Sequence, residues 1–412
     1  MPQRISISLG DVFSFVVPAI QFMQIQSAGV LLVSELVLLA ALPIAVIRHP
    51  ERLRRQPIPT ILTLGIAWLL AQIVTDVVRN SAPEDFLRGW SKIFFVLVNF
   101  TVVCIVVCRS LRRFIIYGIG MGLGTIFSVY LHPSSDATIA PWKFGFGIPV
   151  TLLVMIWAAH SSRHRYLGIL LPLTGLAIVH AFEDLRSLAL ITFMTAIYCL
   201  YQMSTTNSQA KIRGKRLAIL AVTITCVTSG FIYVYSRYAE QGVFGKYAQR
   251  KLAAQSSGEG GLLLGGRSEI LASSQAILDS PFLGHGSWAR DPTYSAILAE
   301  RRAELGYKDL DRGKRDDLIP THSYIFGGWV EAGVAGGLFW LFVLGYSIVV
   351  LLRTSGCEPL LPLFVFVGFM LVWDTLFSPL GMPTRFIAPY YLAAMVVLGS
   401  FRGSQSAFLG EI

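Results

Sequence analysis

Ile93 to Arg109 reads IFFVLVNFTVVCIVVCR, sixteen residues without a charge closed by an arginine. As a helix, rising about 1.5 Å per residue, such a run nearly crosses a hydrocarbon layer of roughly 30 Å. The run lacks the apolar–polar alternation of a barrel strand, and a bilayer tolerates no unpaired backbone polar group, so a helix is the expected form. Further blocks of this kind lie on both sides. Twelve are expected, at about 12–26, 29–47, 60–78, 93–109, 114–131, 146–160, 166–182, 186–203, 217–235, 326–352, 360–378 and 386–401. The composition agrees: 54% of residues are apolar and 14% charged, against roughly 45–50% and about 25% in soluble domains. The chain therefore reads as an all-α, polytopic membrane protein, a single membrane domain over residues 1–412. One long, polar, partly helical loop, 236–324, is inserted between its spans.

The formal charge of +10 would suggest nucleic acid in a soluble protein, but its placement removes that function class. Alternate connections differ sharply. One set holds Arg4, Arg48, Arg52, Arg54, Arg55, Arg109, Arg112, Arg113, Arg163, Arg165, Lys211, Arg213, Lys215, Arg216, Arg353 and Arg402. The other short connections hold only Arg79, Arg88, Lys92, Lys143, Arg186 and Arg385. The positive-inside tendency then places the first set and both termini in the cytoplasm, and the long loop outside. The loop's twelve basic residues are balanced by eleven acids, and long loops translocate largely regardless of charge. Arg4 ahead of an apolar stretch, with Ser27-Ala28-Gly29 after it, imitates a signal peptide. A second block follows at once, however, and the charge alternation requires the first block to be retained.

Cys104, Cys108, Cys199 and Cys226 fall in apolar blocks, Cys357 falls on the cytoplasmic side, and the long loop has none, so no disulfide framework is visible. Cys104 and Cys108 share a helix face without a His or carboxylate partner, which fits packing better than metal binding. Within the loop, Arg267 to Asp279 has helical apolar spacing between Gly265-Gly266 and Pro281, and Tyr294 to Leu305 is a second expected helix. Phe282 to Trp288 (FLGHGSW) reads as a turn, and Asp309 to Asp317 as a solvated charge run. Gly327, Gly328, Gly333, Gly336 and Gly337, where the loop re-enters the apolar region, are expected to permit close helix contact.

An ionisable group retained inside a span calls for an explanation, since at the centre it costs about 2.5–3.5 kcal/mol on the insertion scale. Glu35, Asp76, Glu183, Asp184, Arg186, Glu331, Asp374 and Arg385 all fall in the expected outer halves or at the outer boundary. Asp76, Glu183 and Asp184 lie close enough to span ends for solvation to explain them. Glu35 and Glu331 lie deeper, where an internal ion pair and a site role are both open. The planar, permanently charged guanidinium of Arg186 requires an anion, either a neighbour such as Asp184 or a phosphate gripped bidentately. His322, where the loop returns to the membrane, is suited as a neutral imidazole to take a proton from a sugar hydroxyl near pH 7. His285, in Gly284-His285-Gly286, is its rival and His180 a third candidate.

Three motifs in this order carry a family resemblance. They are Glu183-Asp184-Leu185-Arg186-Ser187-Leu188 opening a span; Gly266-Arg267 followed by an amphipathic segment and Pro281-Phe282-Leu283-Gly284-His285-Gly286; and Thr321-His322-Ser323-Tyr324 leading through Trp329-Val330-Glu331-Ala332-Gly333. Together they resemble the O-antigen ligase and polysaccharide polymerase superfamily of bacterial membrane glycosyltransferases, over about Tyr166 to Leu352. The first 165 residues match in general character only. The resemblance implies an inner-membrane enzyme that moves a glycan from undecaprenyl diphosphate to an acceptor hydroxyl, on either another lipid-linked glycan or lipid A core. It implies no cofactor and no metal, with other polysaccharide-assembly proteins as further partners. By position, His322 corresponds to the family's base and Arg186 and Arg267 to its diphosphate-binding arginines. Glu35, Asp184, His285, Glu331, Asp374 and Arg385 stand as supporting candidates. The two acids beside Arg186 raise the question of whether it is neutralised. The expectation from another class is a secondary transporter or lipid-linked glycan flippase, which would gather its polar groups near the midplane at broken helices.

Overall fold

The computed structural model describes residues 7–27, 29–160, 166–204, 214–307, 317–354, 360–382 and 384–401. Arg4, Arg163, Arg165, Lys211, Arg213, Cys357, Arg402 and most of the Asp309 to Asp317 charge run lie outside them. The chain runs α1 (Leu9–Ala19), strands β1 (Gln24–Gln26) and β2 (Val30–Leu32), α2 (Val33–Arg48), the single-turn α3 (Pro50–Leu53), α4 (Ile58–Arg79), α5 (Pro83–Val106), α6 (Leu111–Leu131), the short α7 (Ser135–Ile139), α8 (Gly147–His160), α9 (Leu167–Phe182) and α10 (Arg186–Ser204). It continues through α11 (Gly214–Glu240), the loop helices α12 (Gly245–Gln255), α13 (Gly261–Gly265), α14 (Ile270–Asp279) and α15 (Pro292–Glu304), and then α16 (Tyr324–Arg353), α17 (Leu361–Phe377) and α18 (Thr384–Ser400).

Every apolar block holds a helix. Among the described residues six helical stretches are long and apolar enough to cross a membrane: Ile58–Arg79, Pro83–Arg109, Leu111–Leu131, Trp142–His160, Arg186–Ser204 and Tyr324–Arg353. Leu9–Phe22, Leu167–Phe182 and Leu361–Phe377 are shorter apolar helices. The protein is thus helical and membrane-embedded in character. The quoted stretch becomes the most enclosed of the six, with Ile93, Phe100, Val102, Val103 and Ile105 fully buried. It lies on α5, which packs on α2, α4 and α18, while α16 packs on α4 and α17, and α6 on α1 and α8. Aromatic stacks stitch the core: Trp68 lies on Phe339 and Trp340, and Phe114 on Phe364 and Tyr390.

Four expectations change. The first two blocks do not form uninterrupted helices: α1 stops at Ala19, and an antiparallel hairpin pairs Gln24 with Leu32 and Gln26 with Val30 before α2 begins. The glutamines are the reason. Gln21 donates to the Met121 carbonyl and Gln24 to Ser128 Oγ, contacts made across to α6. Second, α11 continues to Glu240, so the polar residues 236–240 extend a helix before the loop proper starts. Third, the loop holds α12 and α13 as well as the two expected helices. Fourth, Asp76 is not solvated. It is 2% exposed and is the anchor to which the loop is tied.

Candidate functional site

The loop is held to the membrane helices at the end of α4 and at a break in α16. At Ala332 and Gly333 the α16 backbone leaves helical geometry, and Gly333 takes φ +63°. A Cβ there would collide with the Phe282 carbonyl oxygen, so only glycine fits. The break exposes two carbonyls that an intact helix would use. His285 N–H donates to the Val330 carbonyl at 2.7 Å and Gly286 N–H to the Glu331 carbonyl at 3.0 Å. Gly284, at φ +82°, is required by the same approach, because a Cβ would meet Gly333 N and the Glu331 carbonyl. From α4, Asp76 accepts from Ser287 N (2.6 Å) and Ser287 Oγ (2.7 Å), Thr75 Oγ1 donates to the Leu283 carbonyl, and Arg79 donates to the Gly284 carbonyl and Ser280 Oγ. The FLGHGSW stretch is a turn, as expected. His285 belongs to this architecture: its Nε2 lies 2.7 Å from the Ala276 carbonyl.

A cavity of about 1140 Å³ opens beneath the docked loop, bounded by α4, α5, α12, the segment between α13 and α14, α15 and the first turns of α16. Its lining includes Lys251, Gln255, Gly266, Glu269, Thr321, Ser323, Trp288, Lys92 and Glu331. Thr321 and Ser323 flank His322, which is itself half-buried. Ser323 fixes that position by capping α16: its Oγ accepts from Phe326 N–H and lies 3.1 Å from the Thr375 carbonyl on α17. Burial lowers the pKa of the His322 imidazole from its ordinary value, the Glu269 carboxylate partly opposes this, and the Arg267 charge reinforces it. The ring is therefore a neutral base at pH 7.

The second part of the site is a cation cluster. Between α9 and α10, Asp184 adopts a left-handed conformation (φ +52°) that turns the chain sharply before Arg186. Its carboxylate receives Lys143 Nζ at 2.7 Å, Lys251 Nζ at 3.5 Å, Arg186 Nε at 3.5 Å and the Tyr235 hydroxyl at 3.0 Å. Burial by itself would raise the Asp184 pKa. The hydrogen bond from Lys143 and the charges of Lys251, Lys143 and Arg186 outweigh it and hold the carboxyl below its usual range. Burial pulls Lys251 down to about 8; Asp184 opposes the fall, while Lys143 and Arg186 add to it. Arg186 also donates to Gln255 Oε1 at 2.9 Å and lies over the Tyr235 ring. Glu183 is exposed, so three cations share the one partly buried carboxylate of Asp184. Arg267 donates to the Gly266 carbonyl and lies over Trp373, next to Asp374 on α17. Burial lowers its pKa from the ordinary arginine value; Glu269 opposes this and the Arg186 charge adds to it.

Lys143 and Lys251 were not singled out in the sequence. Lys143 is a lone lysine in a short connection, and Lys251 sits on α12, a short polar helix inside the loop. Among the supporting candidates, Glu331 reaches the cavity, where its carboxylate pairs with Lys92 at 2.5 Å. Glu35 and Arg385 do not. They form a closed pair, with Arg385 Nε and Nη2 on the two Glu35 oxygens at 2.7 and 2.6 Å, and with the Val30 carbonyl and Leu32 N–H completing the network. Nor does His180, whose ring is held between Trp142 Nε1 and Thr151 Oγ1. Among the described residues no group of three or more His, Cys, Asp or Glu converges as a metal-ligand set. No family model and no curated protein matches the chain.

Proposed function

We propose that the protein is a bacterial inner-membrane glycosyltransferase of surface-polysaccharide assembly, with twelve spans, both termini in the cytoplasm and the loop in the periplasm. Its donor is a glycan on undecaprenyl diphosphate, and its acceptor hydroxyl belongs to another lipid-linked glycan or to lipid A core. The observation that carries this is the surplus of positive charge around Asp184, at the rim of the cavity whose wall flanks His322. A diphosphate diester is the anion such a surplus suits, and Arg186 offers it a planar fork of donors.

In this reaction the acceptor hydroxyl gives its proton to the His322 imidazole as its oxygen bonds to the anomeric carbon of the donor. The bond from that carbon to the phosphate oxygen breaks, and its electron pair leaves with the lipid diphosphate. Arg186, Lys143, Lys251 and Arg267 hold the charge that develops there, the electrostatic role that usually dominates such catalysis. The test uses purified protein and a lipid-linked oligosaccharide. His322→Ala abolishes transfer while leaving the protein folded, and Arg186→Ala raises the donor KM. Full transfer by His322→Ala would refute the assignment. In a deletion strain, single-repeat glycan on its normal anchor identifies a polymerase, and long polymer stranded on the lipid carrier identifies a ligase.

The transporter or flippase reading has one observation in its favour, the break in α16, since transporters bind cargo at broken helices. Here, however, each freed carbonyl already accepts an amide of the loop turn.

A further inference from the structure

Trp288 occupies a backbone conformation that bulky residues rarely adopt, with φ +52°. Hydrogen bonds on both sides impose it. Before it, Ser287 is fixed on Asp76 and Gly286 on the Glu331 carbonyl; after it, the Ala289 carbonyl accepts Ile319 N–H. Strain of this kind persists where the surroundings over-determine it, and it concentrates at ligand sites. The indole that results lines the cavity, with Lys92 Nζ 6.0 Å from its ring centroid and Glu331 bound to the same Lys92. Its Nε1 is buried without a hydrogen-bond partner.

We infer that Trp288 and the Lys92–Glu331 pair form a saccharide subsite that receives the acceptor glycan. A pyranose ring presents a flat face of C–H groups to an aromatic ring and hydroxyls at its edge. The indole provides the first surface, while an ammonium and a carboxylate held together provide donors and acceptors for adjacent hydroxyls. The cavity, at about 1140 Å³, exceeds the roughly 300–1,000 Å³ of ordinary small-molecule pockets, so it admits more than one ring. The assignment to the acceptor follows from placement. The donor's first sugar must lie beside its diphosphate at the Asp184 cluster, and this wall, built by α4, α5 and α16, shares no residue with that cluster. Thr321 and Ser323, the sequence neighbours of His322, line the same cavity as Lys251 of that cluster. The subsite rests on the transferase reading for its role but is testable by binding alone.

The experiment uses the full-length protein in detergent, with two probes: oligosaccharides released by mild acid from the lipid-linked pool of the producing cells, and undecaprenyl diphosphate without sugar. Trp288→Leu is expected to weaken oligosaccharide binding about tenfold, or about 1.4 kcal/mol, and to leave undecaprenyl diphosphate binding unchanged. Trp288→Phe, which keeps a ring, retains most of the oligosaccharide affinity, and Glu331→Gln weakens it. Equal oligosaccharide binding by wild type and Trp288→Leu, or no binding by wild type, overturns the subsite. So does an equal loss of both probes, since that marks a structural role. With the lipid-linked oligosaccharide added as donor, a wild-type protein that binds the free oligosaccharide yet transfers nothing from that donor would remove the transferase reading and leave the subsite standing.

Discussion

Replacing Asp76 by Asn changes one oxygen for an NH₂ group and tests how the loop is held. Asp76 Oδ1 accepts from Ser81 Oγ (2.7 Å) and Ser287 N (2.6 Å). Oδ2 accepts from Ser287 Oγ (2.7 Å), Trp90 Nε1 (2.8 Å) and Gln72 Nε2 (3.3 Å). The serine hydroxyls can rotate, but the Ser287 amide and the Trp90 indole are obligate donors on opposite oxygens. Whichever way the asparagine amide turns, one of them faces an NH₂. One unsatisfied buried donor costs about 1–3 kcal/mol, and the remaining bonds lose their charge assistance, so about 2–4 kcal/mol is expected in total. Because the loss falls on the docking of residues 280–288, it should appear as local opening. Hydrogen exchange of that peptide should accelerate by about thirty- to seven-hundredfold, taking 1.4 kcal/mol per tenfold, with exchange in α6, which donates nothing to Asp76, unaffected. Exchange at 280–288 within threefold of wild type would show that Asp76 does not hold the turn.

Three further outcomes follow from the charges. On the transferase reading His322 acts as a base only when neutral, so kcat/KM is expected to fall as pH drops through a value below the ordinary histidine pKa of 6.5, because the shift is downward. Lys251 loses its charge as pH rises through about 8, so donor KM rises there. Lys251→Arg should flatten that alkaline limb, and a limb that persists would assign it to another group. Glu35→Ala leaves the Arg385 guanidinium buried without its carboxylate and should cost about 3–5 kcal/mol, most of which Glu35→Met with Arg385→Met recovers. Thermal unfolding in detergent measures both, and a single variant as stable as wild type would refute the pairing.

The helices were legible because each apolar block is long enough to announce itself, and the order of the three motifs brought Arg186, Arg267 and His322 forward together. What escaped notice is long-range. Asp76 sits at a helix end, where solvation is the ordinary expectation, and only the approach of Ser287, distant in sequence, buries it. Lys143 and Lys251 are unremarkable lysines until Asp184 draws them together from separate segments. The glycines of Gly327 to Gly337 were expected to let neighbouring helices approach. Gly336 does so, lying against Trp68 of α4, but Gly333 also breaks its own helix, and Gly328 and Gly336 let its two halves approach each other. Periodicity describes a helix that continues and has no term for one that stops and resumes.

The break in α16 also governs how the protein can be altered. Residues 241–323 look like a detachable cassette, hung between two apolar segments and open to exchange. Yet the amides of His285 and Gly286 are the donors that satisfy the Val330 and Glu331 carbonyls, and such groups cost several kcal/mol if left bare in an apolar surrounding. A chimaera that transplants the loop without its Gly284-His285-Gly286 turn would therefore damage α16 itself. Loop swaps should be confined to segments outside the turn.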